Sequence, residues 1–60
     1  MTWEGSIYLE QCVEHPEYSI KTEYSYLGQH CVVRHKGKPI GYASEIEDAR
    51  AIAQAHLEGK

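Results

Sequence analysis

Sixty residues can enclose only one small core, because a chain of this length buries about 60% of the surface its unfolded form exposes, so residues 1–60 read as a single domain. With 42% hydrophobic and 25% charged residues the chain is too apolar for disorder throughout, and no apolar run approaches the ~20 residues of a membrane span. A formal charge of −3 argues against a dedicated nucleic-acid binder; with no basic and apolar leader at the N-terminus, a cytoplasmic protein with reduced Cys12 and Cys31 is expected.

Charge is unevenly spread. Residues 1–17 carry four carboxylates and no Lys or Arg, residues 18–43 have a net charge of +3, and residues 44–60 return to −2. A basic middle therefore lies between two acidic ends.

Residues 1–17 have the weakest pattern. Trp3, Ile7, Leu9 and Val13 alternate loosely with polar residues while Tyr8 and Cys12 break the alternation, which predicts an acidic N-terminal arm or a short extra strand. Trp3, the largest apolar side chain, is expected to plug the core. His15-Pro16 marks a break, since proline cannot donate to a ladder and pushes its predecessor out of the helical region.

From Tyr18 the pattern sharpens. Tyr18, Ile20, Thr22, Tyr24 and Tyr26 alternate with Ser19, Lys21, Glu23 and Ser25, which is the clearest strand in the chain. Leu27-Gly28-Gln29 supplies a turn, and His30 to His35 is β-branched enough for a second strand whose inward face the pattern leaves open: Cys31 and Val33 on one side, His30, Val32 and Arg34 on the other. Lys36-Gly37-Lys38 predicts a hairpin turn with Gly37 at positive φ, and Pro39 to Ala43 a third strand in which proline points to an edge or to a strand beginning.

A helix follows over residues 45–57. Ser44 as N-cap and Glu47 three positions on form a capping-box pattern, and Gly59 is placed to stop the helix. At about 100° per residue, Ile46, Ala49, Ala53, His56 and Leu57 share one face, with Ile52 at its edge. The predicted architecture is α+β: a three-stranded antiparallel meander over residues 18–43, packed by one C-terminal helix over residues 44–58.

The order Cys31-Val-Val-Arg34, Lys36-Gly-Lys38, Ile40-Gly41-Tyr42-Ala43-Ser44 and Glu47-Asp48-Ala49-Arg50-Ala51 resembles the last two strands and helix of the three-strand-plus-helix DNA-binding fold found in plant ethylene-response factors and in tyrosine-recombinase arm-binding domains. Gly41, Glu47, Asp48 and Ala49 match, Ile40 is conservative, and Ala43 stands where that family has a large aromatic; the resemblance covers residues 28–57. It implies DNA binding by the sheet face, with Lys21, Arg34, Lys36 and Lys38 as the basic residues, although the family's DNA-contacting tryptophans have no counterpart. The chain also resembles small phage and prophage proteins that share a Gly-x-x-hydroxyl turn into an alanine-rich helix.

Two constellations carry chemistry in principle. Cys12-x2-His15 and Cys31-x3-His35 have the paired look of a four-ligand zinc site, and either cysteine beside a histidine is a thiolate and base pattern. On an extended segment, however, Cys31 and His35 stand about 13 Å apart, too far for one tetrahedral ion. Cys31 is therefore read as a small core hydrophobe, with no metal, cofactor or enzymatic activity expected. Five tyrosines and no phenylalanine suit a surface that is apolar at the ring and wet at the hydroxyl. The expectation is a small non-enzymatic accessory protein, of phage or prophage type, that binds another protein or itself as a homodimer through Tyr18, Tyr24, Tyr26 and Tyr42. DNA binding is the alternative.

Overall fold

A computed structural model describes residues 1–59. Five strands, β1 (Trp3–Gly5), β2 (Leu9–Cys12), β3 (Tyr18–Ser25), β4 (Gly28–His35) and β5 (Lys38–Ala43), precede one helix, α1 (Ile46–Glu58). All neighbours pair antiparallel in the order β1-β2-β3-β4-β5, so the chain is an α+β meander with two strands more than the alternation predicts. The stretch expected as an arm or one short extra strand is a hairpin of two strands.

β3 and β4 form the spine. Eight residues on each strand pair from Tyr18↔His35 to Ser25↔Gly28, and alternation decides which side chains meet the helix. Tyr18, Ile20 and Thr22 of β3 and Cys31 and Val33 of β4 are buried, and on α1 Ala49 and Ala53 are fully so. Trp3, Ile40, Ala43, Ile46, Ile52 and Leu57 pack around that centre. The two alanines let the helix axis come close to the sheet. Gly41 adds clearance at β5, where a Cβ would lie 2.7 Å from Ile52 Cγ2.

The open face of β4 is resolved in the same way. Val32, opposite Lys21 and Tyr42, points away from the helix, yet its neighbours leave it only 5% exposed. β5 is an edge strand, as Pro39 requires, and its register slips between Val33 and Arg34, where Ile40 is the extra residue. The β4–β5 turn is the expected two-residue hairpin: Lys36 at φ 54° and Gly37 at φ 82° are both left-handed. The β3–β4 turn is one step earlier than predicted, on Tyr26-Leu27, with Gly28 already paired to Ser25.

Both ends of the helix depart from expectation. The N-cap is Glu45, extended at φ −129° and ψ 150°, and it makes no side-chain cap bond; the Ser44–Glu47 box does not form. Because the chain stays extended through residue 45, Ser44 lies one residue too early, and what it offers is its backbone carbonyl, which accepts from Gln29 Nε2 at 3.2 Å. Ser44→Ala is accordingly expected to change stability by less than about 0.5 kcal/mol, rather than the ~1 kcal/mol of a lost cap, as read by thermal unfolding. Gly59 ends α1 at φ −77°, donating to the Ala55 carbonyl at 2.9 Å, so no left-handed stop is used.

Long-range polar contacts tie the hairpin of β1 and β2 to the rest. Arg50 on the helix donates three hydrogen bonds of 2.7–3.0 Å to Glu10 on β2, a bidentate pair forty residues apart in sequence. Glu14 closes the other end, accepting from Thr2 N at 2.6 Å and Thr2 Oγ1 at 2.7 Å. Those bonds from Thr2, backbone first, hold the Glu14 carboxyl at a pKa of about 2.

Candidate protein-binding surface

The helix is shorter than the sheet it covers. Thirteen helical residues span about 20 Å, whereas the eight of β3 span about 26 Å, and the first helical residue, Ile46, lines one cleft with Thr22, Tyr24 and Gln29. Tyr24 continues the face of Tyr18, Ile20 and Thr22 to the end where α1 begins, and 57% of it is exposed. What lies beside it comes from the β1–β2 turn. Ser6 Oγ accepts from the backbone N–H groups of Tyr8 and Leu9, Ser6 N donates to the Leu9 carbonyl, and Thr22 N donates to the Tyr8 carbonyl at 2.8 Å. This turn lays Tyr8 edge-on against Tyr24, with ring centroids 5.8 Å apart.

Ile7, Glu10, Thr22, Tyr24, Gln29 and Ile46 line a cleft of about 220 Å³ at this end. Its one carboxylate, Glu10, is engaged by Arg50. Beyond Ile46 and Gln29, which line both, a broader depression of about 340 Å³ is bordered by Glu45 and Glu47. Tyr26 and Leu27, 95% and 82% exposed, form the hairpin tip at the same end. Large apolar side chains are thus concentrated where the helix begins, and acidic ones beside them.

The tyrosines named from the sequence are divided by the fold. Tyr18 is not a surface residue at all: it is 1% exposed, beneath α1, with its hydroxyl 2.6 Å from His56 Nδ1 and its ring 4.5 Å from that of His35. Desolvation, and secondarily the Glu17 carboxylate, push its phenol above the usual tyrosine value, so it stays neutral and donates when His56 Nδ1 is unprotonated. Tyr42 lies on the opposite face of the sheet, opposite Val32. Only Tyr24 and Tyr26 share the exposed end, joined by Ile7, Tyr8 and Leu27, which the sequence reading did not single out.

The basic residues are divided too. Arg34, Lys36 and Lys38 gather at the β4–β5 turn, the end of β4 remote from the cleft, whereas Lys21 sits in mid-sheet with Nζ 3.7 Å from Glu23 Oε2. Glu23 also meets His30 Nε2 at 3.0 Å, so the uncovered face carries paired charges of both signs. Of the four Cys/His positions with zinc-like spacing, Cys12 and Cys31 are buried in the core and His15 lies at the β2–β3 connection. Among the described residues no group of three or more His, Cys, Asp or Glu side chains is placed to hold a metal ion. Nor is any helix among them long and apolar enough to cross a membrane.

Comparison with protein-family models, with curated proteins and with solved structures gives no match.

Proposed function

We propose that this chain is a small non-enzymatic binding protein that docks onto another protein through the apolar end formed by Tyr24, Tyr26, Leu27, Ile7 and Tyr8. The observation that supports this most is Tyr24: its strand alternation assigns it to the covered face, yet 57% of it is exposed beside the first turn of the helix. An aromatic pair flanked by exposed aliphatic side chains is the composition of an interface centre, in which tyrosine supplies a disproportionate share of the energy. Recognition fits the cleft better than chemistry does. Its single carboxylate, Glu10, is held by Arg50 in three hydrogen bonds, which leaves the cleft itself without an uncommitted acid or base.

DNA binding by the uncovered face is the weaker reading, because Lys21 is paired with Glu23 and the free basic groups sit at one corner of the sheet. A photo-crosslinking residue at position 26, with position 36 at the basic end as control, separates the two. Irradiation in lysate of the source cells should yield a discrete polypeptide adduct from position 26 only, weakened by Ile7→Ser. Adducts from position 36 alone, or with nucleic acid, would overturn the proposal.

A further inference from the structure

The chemistry of the partner is written into the border of the cleft. We propose that the cleft receives one apolar side chain of an extended partner segment that carries Lys or Arg two residues away on the same side. This rests on the protein-binding reading above and specifies what is bound.

The apolar part follows from the lining: Ile7, Tyr24 and Ile46 surround a space of one side chain's order, floored by Thr22 at 8% exposure. The basic part follows from the adjoining depression. Glu45 and Glu47 line it, Asp48 follows in the same turn, and among the described residues none of the three makes an ion pair. Glu47 and Asp48 have a local role, complementing the positive helix N-terminus, which carries only about half a unit charge. Glu45 has none, since it sits at the N-cap without capping, and it borders the depression instead. The two carboxylates on the border, Glu45 and Glu47, against half a positive charge leave a net attraction for a cation. Ile46 and Gln29 line both spaces, so an extended strand crossing from one to the other places alternate side chains, ~6.6 Å apart, in each.

Other occupants fit less well. A second copy related by a two-fold axis would set this acidic rim against itself. A second copy docked head to tail would bring the basic turn, but Arg34 to Pro39 (Arg-His-Lys-Gly-Lys-Pro) has no large apolar side chain to fill the cleft. An anionic lipid surface would be repelled by the same carboxylates.

The test is an NMR titration of the ¹⁵N-labelled full chain with the blocked peptide Gly-Lys-Gly-Leu-Gly-Arg-Gly and with its twin in which Glu replaces Lys and Arg. The basic peptide should shift the amides of Ile7, Thr22, Tyr24, Gln29 and Ile46, and the acidic twin should not. Affinity should fall about fivefold in the Glu45→Gln/Glu47→Gln double variant and likewise in high salt, the size two exposed ion pairs allow. Tyr24→Ala should remove binding altogether. Equal affinity for both peptides, shifts confined to the uncovered sheet face, or no shifts at millimolar peptide would overturn the inference. So would a doubling of mass that masks these amides, or binding to phosphatidylglycerol vesicles in the peptide's place. Should the peptides fail while the adduct from position 26 persists, the partner chemistry is wrong and the binding reading stands; loss of both removes both.

Discussion

Ile20→Ala is expected to leave a large fraction of the protein unfolded at room temperature. Ile20 is fully buried on the middle strand of the sheet, flanked by Glu10 on β2 and Val33 on β4, and roofed by the helix. Removing its three outer carbons costs the transfer energy of those atoms plus that of the cavity they leave, together about 2–5 kcal/mol. The upper part of that range applies where the surroundings cannot close in. Here they cannot, because Ala49 and Ala53 have nothing to reach down with, and the sheet below is held by ladder bonds on both sides. Native domains are stable by ~0.05–0.15 kcal/mol per residue, so a chain of 60 has only about 3–9 kcal/mol in total. Equilibrium urea unfolding followed by far-UV circular dichroism should show either a midpoint moved far down or no native baseline. A loss below about 0.5 kcal/mol, the size of an ordinary surface substitution, would mean that the core is not centred on β3.

That centre was legible because it is written twice, once in the alternation of Tyr18, Ile20 and Thr22 and again in the helical spacing of Ile46, Ala49, Ala53 and Leu57. The Lys36-Gly37 turn was legible because few residues other than glycine accept a left-handed φ. The two N-terminal strands were not. With three and four residues they are too short for a period to show, and of the two β2 residues on the covered face, Glu10 and Cys12, the first is charged. That position makes sense only once Arg50 arrives from the helix. The capping-box pattern misled for a related reason: four residues fit the motif, but whether the chain has turned helical by Ser44 depends on how β5 hands over to α1.

The candidate site was half visible. Tyr24 and Tyr26 belong to it, whereas Tyr18 has the same alternation and lies in the core. Nothing local separates Tyr18 from Tyr24. The difference is made by the helix, whose last turn brings His56 onto Tyr18 whereas its first residue, Ile46, leaves Tyr24 more than half exposed, which is a matter of docking position. Ile7 and Tyr8 were invisible because their relevance depends on a turn that carries them to β3.

Gly5→Ala should detach the N-terminal strand while leaving the rest folded. Gly5 has φ +133°, a conformation that L side chains rarely adopt, and an added Cβ would overlap the backbone carbonyl oxygen of Leu9. No rotamer relieves a clash with backbone, and the strain alone is worth about 1–3 kcal/mol. β1 has little to set against that: three residues paired only to β2, Trp3 partly buried over the core edge, and the Thr2–Glu14 bonds. Relief therefore comes by unpairing β1. Trp3 is the only tryptophan, so its emission should shift to the red on exposure while the helical signal persists. Acid should act on the same strand from its other end. The Glu14 carboxyl is lowered from 4.5 to about 2 in the folded chain, so its contribution is complete above 4.5 and is lost as pH falls toward 2. In the native sequence the red shift should appear across that window, and in Glu14→Gln part of it should be present already at neutral pH. An emission maximum that stays put in both variants would show that Trp3 is anchored without its strand.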